Sequence, residues 1–249
     1  MLAGFYTISS GLLANQKKLD VIGTNLVNSQ TPGFRAERPV ASTFGEALAI
    51  RRESVRSGTI GTGAPVTSIK NVETLFDSGN LKPTERSLDF AINGWGYFNV
   101  QAEGGENIVL TRNGQFDIDS EGYLILPGVG RVLGDAGPLL VESDDFEIKP
   151  DGSLVSGEGK NLGSLKISAP AEDVVLEKLE SGMYRLPDGA DAADQESGIL
   201  QGWLELSNVD YNRELTRLIE AQRAFQSCST ALQIADDINQ KAAAQIASL

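Results

Sequence analysis

The chain has 249 residues, a length that suits one large domain or two modest ones, and 41% of them are hydrophobic, which is enough for a buried core. With 34 acidic and 21 basic residues the formal net charge is -13, so we expect no nucleic-acid partner, because phosphate binding requires a basic surface. Histidine is absent, which removes the commonest general base and metal ligand, and the single cysteine, Cys228, excludes an intramolecular disulfide.

Apolar residues recur every three or four positions near the N-terminus, which predicts an amphipathic helix. They are Phe5, Ile8, Leu12, Leu19, Ile22 and Leu26. Asn15 fills the one polar position of this stripe, and Gly11 and Gly23 weaken the helix by about 1 kcal/mol each relative to alanine. Thr31-Pro32-Gly33 ends it, because proline lacks a backbone donor and disfavours helix at the residue before it. We therefore predict a helical arm over residues 1–34.

Residues 35–84 have a mixed composition and are predicted to be an extended linker. The stretch from Gly58 to Gly63 is rich in glycine and threonine. It does not have the third glycine or the helix start of a dinucleotide-binding loop, so it predicts an extended segment or an edge strand.

Short runs with a period of two follow from Leu88, and Asn-Gly, Glu-Gly and Asp-Gly turns separate them at hairpin-like intervals. This pattern predicts an antiparallel all-β domain over residues 85–202, for which a sandwich and an irregular barrel both fit. The predicted strands are Asp89–Ile92, Tyr97–Val100, Ile108–Thr111, Gln115–Ile118, Tyr123–Leu126, Arg131–Leu133, Leu139–Val141, Phe146–Lys149, Ser153–Val155, Ser164–Ser168, Val174–Glu177 and Met183–Leu186.

The C-terminal stretch, residues 203–249, is predicted to be dominated by one long helix from Val209, because it contains neither proline nor glycine. Ser207-Asn208-Val209-Asp210 offers a start of the Ser-x-x-Asp kind. Its apolar or small stripe consists of Leu218, Ala221, Phe225, Cys228, Leu232, Ala235, Ala242, Ile246 and Leu249. A helix of this span is about 60 Å long. A surface helix with one buried stripe fits this pattern, but the seven-residue repeat favours a coiled-coil strand that needs a partner.

Heptad stripes at both ends of the chain indicate that the two ends meet as antiparallel or crossing helices. The predicted fold class is α+β: long N- and C-terminal helices form a coiled-coil layer, and an antiparallel all-β domain is inserted between them.

Two groups of acidic residues could form a metal or catalytic site, or they could be solvent-exposed residues of loops. Asp117-x-Asp119-x-Glu121-Gly122 begins like a calcium loop, but the twelfth position is Gly128 instead of the glutamate that such a loop needs, so a hairpin turn is the better interpretation. Asp144-Asp145 and the acidic stretch 188–196 could supply the paired carboxylates of a secreted hydrolase or carbohydrate-binding protein. Exposed loop acids are the favoured interpretation in a chain with 34 acidic residues.

Five ordered segments, spread over nearly the whole chain, resemble the signatures of the bacterial flagellar rod and hook family. They are Asn25-Leu26-Val27-Asn28 with Thr31-Pro32-Gly33-Phe34, Leu88-Asp89-Phe90-Ala91-Ile92-Asn93-Gly94-Trp95-Gly96-Tyr97-Phe98-Asn99-Val100, Thr111-Arg112-Asn113-Gly114-Gln115-Phe116, Gly202-Trp203-Leu204-Glu205-Leu206-Ser207-Asn208-Val209-Asp210, and Gln222-Arg223-Ala224-Phe225.

This resemblance implies a structural subunit of the basal-body rod, without catalytic activity, metal or other cofactor, or small-molecule substrate. The implied partners are other copies of the chain, other rod and hook proteins, and the flagellar type III export apparatus, which would carry the chain out of the cytoplasm to the basal body. The apolar residues of the two stripes named above are the expected assembly interface. The chain looks most like a proximal-rod protein, and a distal-rod or hook-type protein is the alternative.

Overall fold

The computed structural model describes residues 2–44, 48–52, 57–62, 66–102, 104, 107–149, 152–171, 174, 176–179, 182–187, 192–194 and 198–247. The chain divides into two compact units. The first, which we call the helical unit, comprises Met1–Val27, Glu37–Leu75 and Asp210–Leu249, and the second, the β unit, comprises Asn28–Ala36 and Phe76–Val209. Both terminal helices and a central antiparallel β-rich part are present, so the predicted α+β class is confirmed.

The helical unit consists of two helices and two short antiparallel sheets. Its elements are α1 (Leu2–Val27), β1 (Glu37–Phe44), β2 (Leu48–Arg52), β3 (Ser57–Thr62), β4 (Val66–Thr74) and α2 (Tyr211–Ala247). β1 pairs with β4, and β2 pairs with β3. The segment 35–84, which the sequence predicted to be a linker, thus contains these four strands and, in the β unit, a fifth at Leu81–Pro83 among the described residues. Pro39 is tolerated in β1 because this strand pairs on one side only in the described part of the chain.

α1 ends directly before the polar segment Asn28–Gln30. α1 is followed by one 3-10 turn, Asn28–Gln30, so the predicted end of the first helix before Pro32 is confirmed. Neither helix has a segment apolar enough to span a lipid bilayer in the described part of the chain.

The predicted start of the second helix was wrong. The side chain of Asp210, not that of Ser207, caps α2: Asp210 Oδ1 accepts a hydrogen bond of 3.2 Å from the backbone N–H of Arg213. This is the geometry of an N-cap residue bonded to the third helical position. Ser207 Oγ instead accepts a bond of 3.3 Å from Val209 N–H, which makes a local turn before the helix.

The β unit is built from short strands, every pair of which is antiparallel in the described residues. They are β5 (Leu81–Pro83), β6 (Phe90–Asn93), β7 (Tyr97–Ala102), β8 (Ile108–Thr111), β9 (Asp117–Ile118), β10 (Leu124–Leu126), β11 (Gly130–Gly134), β12 (Gly137–Pro138), β13 (Phe146–Ile148), β14 (Ser153–Ser156), β15 (Asn161–Ser164), β16 (Ile167–Pro170), β17 (Glu177–Lys178), β18 (Met183–Arg185), β19 (Ala192–Asp194), β20 (Gly198–Gln201) and β21 (Trp203–Glu205).

Most of these strands belong to one large sheet with the order β17-β18-β8-β7-β11-β10-β9. β12 joins it at β11, β16 at β7, and β19 at β16. Three smaller sheets complete the unit: β13-β14-β15, β20-β6 and β21-β5. Most of the predicted strands are confirmed, but three predictions were wrong. Val174–Glu177 overlaps the observed β17 only at Glu177, and Val174 and Leu176 lie outside it. Leu139–Val141 forms only an isolated bridge at Leu140, and Ser164–Ser168 is divided between β15 and β16, because the chain changes its pairing partner there.

The core of the β unit lies between these sheets. Its largest fully buried apolar side chains are those of Phe90, Phe98, Phe116, Leu124 and Leu154. The ring centroids of Phe98 and Phe116 are 5.2 Å apart with the rings edge to face, and those of Phe90 and Phe116 are 5.7 Å apart. Burial of this apolar surface is the main stabilising contribution to the unit.

The cap of α2 gives a first testable expectation. Asp210→Ala should lower the free energy of unfolding by about 1 kcal/mol, because one backbone N–H of the first turn loses its acceptor. Ser207→Ala is the matched control and should cost less, since it removes only a turn contact. Urea denaturation followed by circular dichroism at 222 nm measures both. A larger cost for Ser207→Ala would contradict the placement of the cap.

Candidate functional site

The two helices of the helical unit pack against each other in antiparallel order. Asn15 Nδ2 lies 3.7 Å from Cys228 Sγ, whereas Asn25 Nδ2 lies 3.4 Å from Glu214 Oε2. Residues with higher numbers in α1 therefore lie beside residues with lower numbers in α2. The sequence prediction that the two ends of the chain meet is confirmed.

Asn25 connects three elements of this unit and is 1% exposed. Its Nδ2 donates to the carbonyl of Glu37 at 2.9 Å, and its Oδ1 accepts from the N–H of the same residue at 2.8 Å. The side chain thereby satisfies the first backbone groups of β1 as a neighbouring strand would. Glu214 is 6% exposed and forms an ion pair with Arg217, so the charge that faces Asn25 is compensated.

The contacts of α1 with α2 include the small residue Gly11 and the polar residues Asn15 and Asn25. Ala14, Val21 and Ile22 are buried. At Gly11 an added Cβ would lie 3.6 Å from Cys228 Sγ, which is ordinary van der Waals contact. Small side chains on the facing surfaces let the two backbones approach closely.

The structure buries few of the residues that the sequence assigned to an assembly interface. In the α1 stripe Ile22 is buried and Phe5 is 41% exposed. In α2 Ala221 is buried. The half-buried residues are Ile8, Leu12, Leu19, Leu26, Leu218, Phe225, Cys228, Leu232, Ala235 and Ala242. The side chain of Ile246 and the whole of Leu249 lie outside the described residues.

Several large apolar side chains on the helices remain exposed, and the sequence analysis did not assign them. They are Tyr6, Leu13, Leu215, Ile219, Ile234 and Ile238. The last two are each 55% exposed. A plot of the helices in projection would have shown them as apolar positions flanking the stripes.

A cavity of about 360 Å³ lies between α1, β1 and α2 in the helical unit. Its charged lining consists of Lys18, Glu37, Arg38, Glu214, Arg217 and Glu220. Three cations and three carboxylates cancel formally, so the lining does not favour a charged small ligand. Ile22, Ala221 and Ala224 add apolar surface, which suits the side chains of another polypeptide.

The β unit contains a buried ion cluster formed by Arg35, Glu205 and Arg112. Glu205 Oε1 lies 2.8 Å from Arg35 Nη1, and Oε2 lies 3.2 Å from Arg112 Nη1. All three side chains are 2–3% exposed. Arg112 and Glu205 belong to two of the segments that resemble the rod and hook family, and Arg35 directly follows a third, but no local pattern predicts that the three residues meet.

Neutral groups also contact the three side chains of this cluster. Glu205 Oε1 also accepts from the N–H of Gly79 at 2.9 Å. Arg112 donates to the carbonyls of Ile92 and Gly94, at 3.3 and 2.6 Å, and its guanidinium carbon lies 5.5 Å from the centroid of the Tyr97 ring. Burial lowers the pKa of Arg112, the Glu205 carboxylate opposes that effect, and the neighbouring Arg35 adds to it.

The acidic segment Asp117–Gly122 forms a hairpin turn. Asp119 Oδ1 accepts from the N–H groups of Glu121 and Tyr123, at 2.9 and 2.8 Å, and Asp119 Oδ2 accepts from Arg131 Nε at 3.2 Å. Desolvation raises the pKa of the Asp119 carboxyl, but the two N–H donors and Arg131 outweigh it, so this pKa lies below its ordinary value. The carboxylate is thus engaged by the protein itself.

No group of three or more acidic or cysteine side chains is arranged to hold a metal ion in the described part of the chain. Asp144 and Asp145 are exposed loop residues, and most of the acidic stretch 188–196 lies outside the described residues.

Three family profiles match the chain. "Flagella basal body rod protein" matches residues 5–35, "Flagellar hook protein FlgE/F/G D1 domain" matches residues 91–135, and "Flagellar basal body rod FlgEFG protein C-terminal" matches residues 200–246. The first and last cover most of α1 and α2, and the second covers much of the large sheet.

Similar proteins match over nearly their whole length. The flagellar basal-body rod protein FlgG of Bacillus subtilis is 35% identical, over 97% of this chain and 98% of that protein. FlgG of Buchnera aphidicola from Acyrthosiphon pisum is 30% identical, with the same shares covered. The rod protein FlgF of Caulobacter vibrioides is 29% identical over 94% of each chain.

The packing of α1 on α2 predicts that Gly11→Ala stabilises the helical unit by about 1 kcal/mol, because alanine favours helix and its methyl group fits against Cys228. Gly23→Ala is the control, since an added Cβ there meets nothing within 4 Å and gains helix propensity alone. Urea denaturation at 222 nm compares the variants. Destabilisation by Gly11→Ala alone would show that the helices are closer than described.

The lowered pKa of Asp119 predicts a pH-dependent effect. A carboxyl group whose pKa is lower in the folded chain than in the unfolded chain stabilises the fold at pH values above its unfolded pKa, which is near 3.8. This stabilisation is lost as the pH falls through the folded pKa. Asp119→Asn should therefore be less stable than the unmodified chain at pH 7, and the difference should shrink below about pH 4. Urea denaturation at both pH values tests this, with the exposed Asp144→Asn as control. A pH-independent difference would rule out the charge as its cause.

Proposed function

We propose, because the chain belongs to the family of flagellar basal-body rod proteins, that its terminal helices form a coiled-coil layer with those of neighbouring axial subunits. As a member of this family the chain is a structural subunit of the rod, its place is the flagellar basal body, and it assembles with other axial proteins. The remaining steps of the proposal concern which surfaces make the contacts.

The main support for this proposal is that α1 and α2 already pack against each other and still leave large apolar side chains exposed. The contact between α1 and α2 includes small and polar side chains, while Leu13 is 62% exposed, and Ile234 and Ile238 are 55% exposed. Apolar residues placed along helices in this way are typical of surfaces that become buried in an assembly. The half-buried residues of both predicted stripes border the same surfaces and belong to the proposed interface.

The unequal lengths of the helices support the same conclusion. α2 has 37 residues and α1 has 26, about 55 and 39 Å at 1.5 Å per residue. With Asn15 beside Cys228, the antiparallel pair leaves the last turns of α2 beyond the start of α1. This short helical extension needs a partner, because an unsupported helical segment of only a few residues is marginal in water.

Two further parts of the proposal rest on the family resemblance. The chain would leave the cytoplasm through the flagellar type III export apparatus, and it would occupy the proximal rod rather than the distal rod or the hook. We also propose that it has no catalytic role, which accords with a family of structural rod proteins. The hydrolase alternative is not favoured, since the relatives named above are rod proteins.

The interface proposal is tested by Ile238→Glu and Leu13→Glu in cells that carry only the variant chain. Each places a carboxylate where a neighbouring subunit would remove it from water, at a cost of several kcal/mol (about 3–5). The purified variants should keep the circular dichroism of the unmodified monomer, because both positions are exposed in it. Isolated basal bodies should lack the variant chain, and the cells should not swim in soft agar.

Gln226→Glu is the matched control, because it adds the same charge to α2 at an exposed polar position. This variant should assemble and support swimming. Normal motility with both Ile238→Glu and Leu13→Glu would show that these faces stay in water in the rod and would overturn the proposed interface.

A further inference from the structure

The segment Gly198–Asn208, which we call the clasp, supplies the strand partners of two earlier parts of the β unit. β20 pairs with β6, and β21 pairs with β5. In the described residues neither β5 nor β6 pairs with any other strand. Apart from the bridge between Asp89 and Gln115, the N-terminal edge of the unit therefore has its ladder bonds only when the clasp is in place.

Hydrogen bonds from the clasp reach three more segments. Gly33 N–H donates to the carbonyl of Glu205 at 2.8 Å. Asn208 Oδ1 accepts from Ala36 N–H at 2.7 Å, and its Nδ2 donates to the carbonyl of Asp77 at 2.8 Å. Through these bonds the clasp holds together the segments at which the chain enters and leaves the β unit.

Gln201 extends these contacts to the opposite side of the core. Its Nε2 donates to the carbonyls of Ser87 and Phe146, each at 2.9 Å, and its Oε1 accepts from Ile148 N–H at 3.0 Å. Ile199, which is 4% exposed, belongs to the main hydrophobic core. The clasp is thus an internal part of the unit.

The charge of Glu205 makes the clasp necessary for the burial of Arg35 and Arg112. Among the described residues it is the only carboxylate within ion-pair distance of either guanidinium group. The other groups that contact them are carbonyls and an aromatic ring, which carry no charge. A buried cation that loses its partner lowers the folded population by about 10²- to 10³-fold.

From these contacts we infer that the β unit folds in a single step that requires the clasp, and that Glu205 permits the burial of the two arginines. The core strands β7, β8 and β10 have no stable folded state while residues 198–208 are detached. Because the clasp follows the other described strands of the β unit in the sequence, a chain that appears N-terminus first leaves this unit open until residue 208 is present. This inference does not depend on the proposed helix interface.

Hydrogen exchange of the unmodified full chain, followed by mass spectrometry in increasing urea below the unfolding transition, tests the single step directly. Peptides from the clasp and from β7, β8 and β10 should exchange with the same opening free energy and the same urea dependence. Exchange of the clasp at lower urea, while the core strands remain protected, would overturn the inference. This measurement requires no variant to fold.

The role of the charge is tested by Glu205→Gln, which keeps the size of the side chain and removes its charge. Protection factors of the clasp and of the core strands should fall together by about 100-fold or more. Glu147→Gln, at an exposed glutamate of β13, is the matched control and should leave both sets unchanged. Loss of protection in the clasp alone, or no loss at all, would show that Glu205 does not control closure of the unit.

Discussion

Two buried arginines that share one buried carboxylate are the constraint on which the β unit depends. An ion pair of this kind contributes little net stability compared with apolar residues, but the loss of one partner is costly, because the remaining charge stays out of water. Arg35, Arg112 and Glu205 lie in three segments far apart in the sequence. The carboxylate of Glu205 forms an ion pair with each of the two guanidinium groups. Three motifs that look independent along the chain are therefore parts of one cluster.

Polar side chains at the junctions between elements also provide partners for buried polar groups, here groups of the backbone. Asn25 bonds both backbone groups of Glu37 where β1 begins, Asn208 bonds the backbone of Ala36 and Asp77, and Asp210 caps α2. At such positions the backbone loses its regular partners, and buried N–H and C=O groups need substitutes. Asparagine and aspartate supply them because their side chains are short and polar.

Local patterns in the sequence predicted elements well and predicted partners poorly. Turns such as Asn93-Gly94 and Glu121-Gly122 predicted where most of the strands end, since turn chemistry is local. The division of Ser164–Ser168 between two strands was missed, because the change of partner occurs at Leu165, which bridges to Gly134. Periodicity likewise identified α1 and placed Asn15, which contacts Cys228, on its stripe, but it did not predict the burial of Ala14 and Asn25. Hydrophobicity alone cannot rank a small buried residue above a large exposed one.

The two units differ in how completely they bury their large apolar side chains within the single chain, and this difference bears on the proposed assembly. In the β unit Phe98, Phe116 and Leu124 are completely buried, so that unit needs no second subunit to complete its core. In the helical unit the close contact of α1 and α2 leaves Leu13, Ile234 and Ile238 largely exposed. Under the proposed interface, these exposed side chains are the apolar surface that neighbouring subunits of the rod would bury.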